Sequence, residues 1–457
     1  MKRYLPFLIP AFVFLFIKVS SSGIRLSDTN IYFYTGYQII QGKILYKDIF
    51  FTNFPFLPYL SAVYFFILRG DLTAFFFTAV IETLAVGFVI YLIVLKKTKD
   101  ILQSTLSAAL YLFSFIILST SDHQSGVFAA SLFVVLSYFF YLKKRFLLTG
   151  VFLALALMTK AYFLPIFFAF IVFLFLKSFK KNRNSILYFG GGFFTTILVI
   201  LLPSLLLARG DFFKDVFLYS LTRSQGLSKS EIFWFFITHD IILFVLLIFN
   251  LLAIRRRMLF GLISLFGIAF VILYKDIYFL YLNFFIPFLC LSFPFFNNFL
   301  QSKFQMQKYI IPSIISLFLL YNLISYFSGF QNIQKLPQFL DIVDTIKKEN
   351  PKFLYGVNDL TPSLAYYTST PLLGDVTDTN ANIFRKGYLD AKRLSSDAIK
   401  SRTMLVTHGI NYPEFGVRQD IIDEIFDVKI LEKCELKYSY PVRSEGYTNR
   451  INLFTCY

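Results

Sequence analysis

The sequence predicts an all-α polytopic membrane bundle of about eleven transmembrane helices, followed by a small C-terminal α/β extracytoplasmic domain. Three observations carry that expectation: the apolar composition, the spacing of long apolar runs, and the one-sided placement of basic residues. Of the 457 residues, 57% are hydrophobic, and the mean hydropathy is +0.64. Soluble domains run at roughly 45–50% apolar. Phe alone contributes 62 residues. A soluble core cannot bury that much apolar surface. A bilayer can solvate it, provided each span closes its own backbone hydrogen bonds as a helix.

A span needs roughly 20 apolar residues. The runs fall at 4–20, 74–95, 101–118, 126–142, 146–159, 162–176, 186–207, 232–254, 258–274, 278–297 and 308–327. The stretch 146–176 reads either as one long helix broken near Lys160 and Pro165 or as two short ones. The first run follows Lys2 and Arg3 and lacks a small-x-small cleavage site after it, so it is expected to be a retained helix. Basic clusters at Lys2-Arg3, Lys96-Lys97-Lys99, Lys143-Lys144-Arg145, Lys177 to Arg183, Arg255-Arg256-Arg257 and Lys303-Lys308 fall on one side of an eleven-helix path. By the positive-inside rule that side is cytoplasmic. This puts the N-terminus inside and the C-terminal region outside. The opposite loops hold Asp28, Asp48, Asp71, Asp122, Asp211, Asp215, Glu231 and Asp276.

The net charge of +17 comes from 44 Lys+Arg against 27 Asp+Glu. Since the basic residues sit in short loops, they give no solvated patch for nucleic acid, and membrane lipids are the expected surroundings. Residues 1–330 read as the transmembrane domain, with a long first outer loop at 21–73. That loop holds a helix start near Asp28 and an interfacial apolar run from Phe54 to Leu68. A second outer segment, 208–231, is polar. From 331 to 457 charged residues become frequent, as in a soluble α/β domain. There, 334–349 reads as an amphipathic helix, and 353–357, 403–407, 427–433 and 451–456 read as strands. Helices are expected near 378–393 and 416–426. Of three cysteines, Cys290 is core, and an extracytoplasmic location leaves a Cys434–Cys456 disulfide open.

Candidate chemistry gathers in the first outer loop, 27–60. Asp28 stands just past the first helix, and Asp48 follows twenty residues later, before Asn53 and a Pro-containing stretch. A carboxylate at the mouth of a bundle can accept a proton from a hydroxyl or hold a cation. The alternative for Asp28 is a cap on the helix that follows. Asp122 and His123 precede the fourth run, and Lys160 ends a small-residue helix begun at Gly150. Asp122 can equally be a plain loop acid, and Lys160 can snorkel to the interface. Glu82, His239 and Asp240 lie within apolar runs, Asp276 and Tyr278 start the tenth, and Gly190-Gly191-Gly192 suits close helix packing. No metalloprotease motif, nucleophile elbow or Gly-rich phosphate loop is present.

The first loop resembles that of the GT-C superfamily, the polyprenyl-phosphate-sugar-dependent membrane glycosyltransferases. It is most similar to the branch of protein mannosyltransferases and aminoarabinose transferases. The residues that carry the likeness are Asp28-Thr29, Gly42-Lys43-Ile44-Leu45-Tyr46-Lys47-Asp48 and Asn53-Phe54-Pro55. Thr29 departs from the branch's paired carboxylates. Asp122 before the fourth helix and Lys160 at the end of a small-residue helix continue the likeness.

The resemblance implies an inverting transfer from a polyprenyl-phosphate sugar donor to an extracytoplasmic acceptor, whether lipid, glycan or protein. Asp28 would be the general base, with Asp48 and Asp122 as further catalytic carboxylates. Lys160, His123, Asn53, Tyr46, Arg209, Arg223 and Lys275 would bind substrate. No cofactor is implied with certainty, and a divalent metal is left open. Rival classes are a lipid-linked-oligosaccharide flippase, a non-catalytic membrane scaffold and a lipid-carrier ligase. A flippase calls for polar residues deep in several helices, whereas the acids here crowd the outer rim.

Overall fold

The computed structural model describes residues 3–456, apart from 179–182, 222–225, 305–309, 333–334, 413–415, 419–424, 428–432 and 445–446. Among the described residues, three helices are by themselves long and apolar enough to cross a bilayer: Leu72–Thr98, Asn184–Leu207 and Ile310–Gly329. The shorter apolar helices Leu5–Ser20, Phe56–Ile67, Ile101–Leu112, Val127–Leu142, Phe146–Thr159 and Met258–Leu273 pack beside them. Helix Leu5–Ser20 leaves Phe12 70% and Phe16 66% exposed, an apolar surface suited to lipid.

Several expected runs are broken, and one buried acid accounts for two of the breaks. The run 101–118 divides at Phe113 and Ser114 into helices Ile101–Leu112 and Phe115–Thr120. The run 232–254 divides into Lys229–His239 and Ile241–Leu252, which meet at a bend of 109°. Asp240 sits at that bend, fully buried, and accepts from Phe115 N (3.0 Å), Ile116 N (3.0 Å) and Ser114 Oγ (3.1 Å). A carboxylate at a helix N-terminus satisfies donors that the break leaves open. Asn322 Nδ2 reaches the same carboxylate at 3.3 Å, tying in the helix Ile310–Ser325. Lys160 marks a third break. It stands in extended backbone between helix Phe146–Thr159 and the short turn Ala161–Phe163, so 146–176 is two helices.

Close packing inside the bundle uses glycine reciprocally. A Cβ at Gly150 would lie 2.1 Å from Phe189 O, and one at Gly192 would lie 2.2 Å from Leu147 O. Helices Phe146–Thr159 and Arg183–Leu207 therefore touch backbone to backbone, in the manner of small-residue membrane interfaces.

The C-terminal part carries a five-stranded sheet. Strands β1 (Phe353–Gly356), β2 (Thr403–Tyr412), β3 (Gly416–Arg418), β4 (Cys434–Ser444) and β5 (Tyr447–Cys456) run in the order β1-β2-β5-β4, with β3 on β2. β1 and β2 are parallel and the other pairs antiparallel. Cys434 and Cys456 are register partners joined by a disulfide. The amphipathic helix occupies Phe339–Glu349, starting after Pro337. The helix expected at 378–393 is instead a loop, a short helix Ala381–Arg385 and a second helix Ala391–Lys400. Gly387, at φ +71, turns the chain between them, and Asp390 caps the second helix through Lys392 N and Arg393 N. Residues 416–418, expected as helix, are strand β3, while the expected strand at 427–433 lies mostly outside the described residues.

This sheet layer shares a core with the first loop. Phe33, Phe65 and Phe75 pack with Tyr366 and Tyr367, with Phe33 and Tyr366 edge to face at 5.1 Å. Such ring pairs add roughly 0.5–1.5 kcal/mol each beyond their buried area. Polar contacts reinforce the joint. Ser27 N donates to Asp359 O (3.2 Å), and Ser363 Oγ donates to Asn30 Oδ1 (2.6 Å). The turn that carries Asp28 is thus held between bundle and sheet.

Candidate active site

At the junction of bundle and sheet lies a polar cavity of about 370 Å³. Asp28, Tyr32, Thr52, Asn53, Ser125, Lys160, Tyr162, Asp276 and Tyr278 line it from the bundle, and Asn358, Asp378, Asn380 and Asn382 from the sheet side. Thr52, Asn53 and Tyr162 also line an adjoining apolar groove of about 580 Å³. That groove runs between Leu157, Leu164, Pro165 and Phe168 on one side and Phe266, Phe270 and Leu273 on the other. A charged chamber therefore opens onto an apolar channel among helices.

Asp28 begins the helix Thr29–Ile40, but its side chain makes no capping hydrogen bond there. Its backbone is already helical, at φ −55° and ψ −15°, and only its carbonyl serves the helix, accepting from Ile31 N and Tyr32 N. The carboxylate faces the cavity instead. Lys160 lies across the same space, 4% exposed, with Nζ donating to Tyr32 Oη at 3.1 Å. The helix break places its stem at the junction of chamber and groove. Asp276 and Tyr278, at the start of the tenth run, line the cavity, and Tyr281 Oη donates to Tyr162 Oη at 2.9 Å beside them.

The motif from Gly42 to Asp48 builds a turn beside the cavity. The Asp48 carboxylate accepts from Ile44 N at 2.8 Å and closes a tight turn. Tyr46 takes φ +67 within that turn, an uncommon conformation for a bulky residue. Its buried hydroxyl donates to Asn53 O at 2.7 Å, which fixes the strand-like stretch that delivers Thr52 and Asn53 to both cavities. Asp48 and Tyr46 themselves do not line the cavity. Asp48→Asn is accordingly expected to keep most of the activity, because the amide oxygen still accepts from Ile44 N. Asp48→Ala is expected to lose several-fold. Turnover of the two variants, measured side by side, checks this; equal and near-complete loss in both would make Asp48 catalytic after all.

Asp122 also stands apart from the cavity. It is 8% exposed and pairs with Lys18 Nζ (3.1 Å) and Arg25 Nη2 (3.3 Å), and Tyr326 Oη donates to it at 3.0 Å. Burial pushes its carboxyl up, but Lys18 and then Arg25 outweigh this and hold it below the usual carboxylate range. Arg25 further donates to Ser21 O and Gln331 O, so the cluster locks the first helix, the first loop and the last apolar helix together. His123 is half-buried and outside the cavity, and burial, with Arg25 next, lowers its imidazole to about 4. It is therefore neutral at pH 7. Arg209, at φ +46, and Lys275 are exposed and do not line the cavity. Arg223 lies outside the described residues.

The helix interiors are not bare of charge. Lys18, Glu82 and Asp240 are buried within them, and Glu82 accepts from Tyr64 Oη (2.6 Å) and Gln124 Nε2 (2.9 Å). Each is engaged by neighbours from other elements, as befits structural ties. Among the described residues, no group of three or more His, Cys, Asp or Glu side chains converges as a metal site.

The cavity residues that sequence reading missed include Tyr32, Thr52, Ser125 and Tyr162 from the bundle and a polar group from the C-terminal part. Asn358 Nδ2 donates to Asp378 Oδ1 at 2.9 Å, and Asp378 also accepts from Asn380 N. The run Asp378-Thr379-Asn380-Ala381-Asn382 carries the signal, a dense set of short amide and acid side chains. It reads as a helix start until the sheet is seen to aim it at the bundle.

No family model and no curated protein matches the chain. Solved structures do. ArnT from Cupriavidus metallidurans bound to undecaprenyl phosphate matches with a TM-score of 0.59 and 10% identity, over 98% of this chain and 97% of that one. ArnT from the same organism in the apo state gives 0.63 and 12% over the same shares. Identity this low speaks for the fold alone, and it does so over nearly the whole of both chains. The chain thus has the fold of the ArnT structures, a multi-pass helical membrane bundle followed by a C-terminal sheet.

Proposed function

We propose that the protein is a membrane glycosyltransferase that takes its sugar from a polyprenyl-phosphate carrier on the extracytoplasmic side. One observation carries the reading: a chamber holding Asp28 and Lys160 opens, past Thr52, Asn53 and Tyr162, into an apolar groove suited to an isoprenoid chain. The structural neighbour bound to undecaprenyl phosphate supports the same ligand class.

In this account the donor's lipid lies along Leu164, Phe168, Phe266 and Phe270, and its phosphate meets Lys160. Asp28 takes the proton of the acceptor hydroxyl as the new oxygen–carbon bond forms at the anomeric carbon. The bond from that carbon to the phosphate oxygen breaks on the opposite face, with inversion, and polyprenyl phosphate leaves. Lys160 stabilises the charge that develops on the leaving group. Asp276 and Asn53 orient the sugar. The 331–457 domain roofs the chamber, and the C-terminal orientation follows the positive-inside reading.

Lys160→Ala is expected to raise the apparent donor KM about tenfold or more, or to abolish turnover. Lys160→Arg should retain part of the activity, because a charge rather than a shape holds one phosphate. Steady-state kinetics against a polyprenyl-phosphate sugar tests the proposal. Unchanged donor dependence in Lys160→Ala would move the phosphate site elsewhere.

A further inference from the structure

Among the described residues, two polar atoms in the chamber are buried without a hydrogen-bond partner: Ser125 Oγ from the bundle and Asn382 Oδ1 from the C-terminal domain. An unpartnered buried polar group costs roughly 1–3 kcal/mol, so such atoms point to a ligand that completes them. Around Asn382 the soluble domain presents Asn358, Asp378 and Asn380, and no Lys or Arg among the described lining residues. Amides and a hydroxyl both give and receive hydrogen bonds, as sugar hydroxyls do. A phosphate also needs positive charge, which this wall does not supply. Tyr278 and Tyr281 line the same space.

We propose that the acceptor is a neutral sugar, and that residues 378–382 with Asn358 form its subsite. The inference rests on the transferase reading above and deepens it by naming the acceptor class. The donor enters from the groove beside Asn53, so the amide wall meets the other substrate. One acceptor hydroxyl faces Asp28 and gives up its proton there as it bonds to the anomeric carbon, while polyprenyl phosphate departs toward Lys160. A neighbouring hydroxyl donates to Asn382 Oδ1.

The test uses purified full-length protein with undecaprenyl-phosphate-linked hexoses as donors. The acceptor probes are p-nitrophenyl glycosides of glucose, galactose and mannose, a threonine-containing peptide, and glucosamine 1-phosphate. Transfer to a neutral glycoside is expected, and to neither of the others. Asn382→Leu should raise the glycoside KM about tenfold and lower kcat at saturating glycoside far less. Asn382→Asp keeps the accepting oxygen and should recover part of the glycoside affinity that Asn382→Leu loses. Transfer to the peptide or the phosphosugar, with Asn382→Leu unaffected, overturns the acceptor assignment and leaves the donor reading standing. Absence of any donor breakdown by the wild-type protein overturns the transferase reading and this inference with it.

Discussion

Asp28→Asn is expected to lower turnover by about 10²–10⁴-fold with little change in melting temperature. The size of the loss follows from removing the proton acceptor while keeping the shape of the side chain. The stability follows from the structure: Asp28 makes no side-chain cap on the helix Thr29–Ile40, and its role there runs through its carbonyl. An exposed side chain facing a cavity carries little folding energy. Activity of the purified variant is measured beside its thermal unfolding. Near wild-type turnover in a well-folded Asp28→Asn protein removes Asp28 from the mechanism, and Asp276, in the same cavity, becomes the candidate base.

Asp122→Ala is expected to destabilise the fold by about 3–5 kcal/mol, the usual consequence of stripping one partner from a buried pair. Here the change strands two cations, since Lys18 is fully buried and Arg25 only 2% exposed. The variant should express poorly and unfold at markedly lower temperature in detergent. The pH dependence has a definite sign. The folded Asp122 carboxyl titrates below its ordinary value of 3.8, so its stabilisation is present above that pH. It is lost as pH falls through the folded value, when the native carboxylate takes up its proton. Wild-type stability should therefore drop steeply on acidification below about pH 4, and an Asp122→Asn protein should start less stable and show a shallower drop. Loss of turnover in a variant of unchanged stability would place Asp122 in the chemistry instead.

These two residues show how far the sequence could be read. Asp28 and Asp122 look alike in sequence, each a loop acid next to an apolar run. What separates them is the company they keep in space. Lys18 sits in the last turn of the first apolar helix, and Tyr326 lies more than 300 residues beyond it, so the cluster around Asp122 is invisible to local reading. The fold class was legible because lipid imposes long apolar runs and basic loops, both one-dimensional signals. The breaks at Ser114 and at the 239–240 junction were not, because an apolar run stays apolar whether or not a distant Asp240 interrupts it.

Lys160 stood out in the sequence because the apolar helix ends there in a lone cation, and it lines the cavity. Tyr46 and Asp48 were singled out by motif, yet they act on Asn53 through a turn rather than on the cavity itself. The amide wall at 378–382 escaped notice because its residue types suit a helix cap as well as a ligand. Asn380 does cap its short helix, accepting from Asn382 N at 3.0 Å.

The central claim is that this bundle transfers a sugar from a polyprenyl phosphate. The most direct measurement incubates the purified protein with a panel of undecaprenyl-phosphate sugars and follows release of free undecaprenyl phosphate. The account predicts release from at least one donor, dependent on Asp28 and Lys160 and insensitive to Asp48→Asn. Intact donors across the whole panel, or release that persists undiminished in both Asp28→Asn and Lys160→Ala, would contradict it.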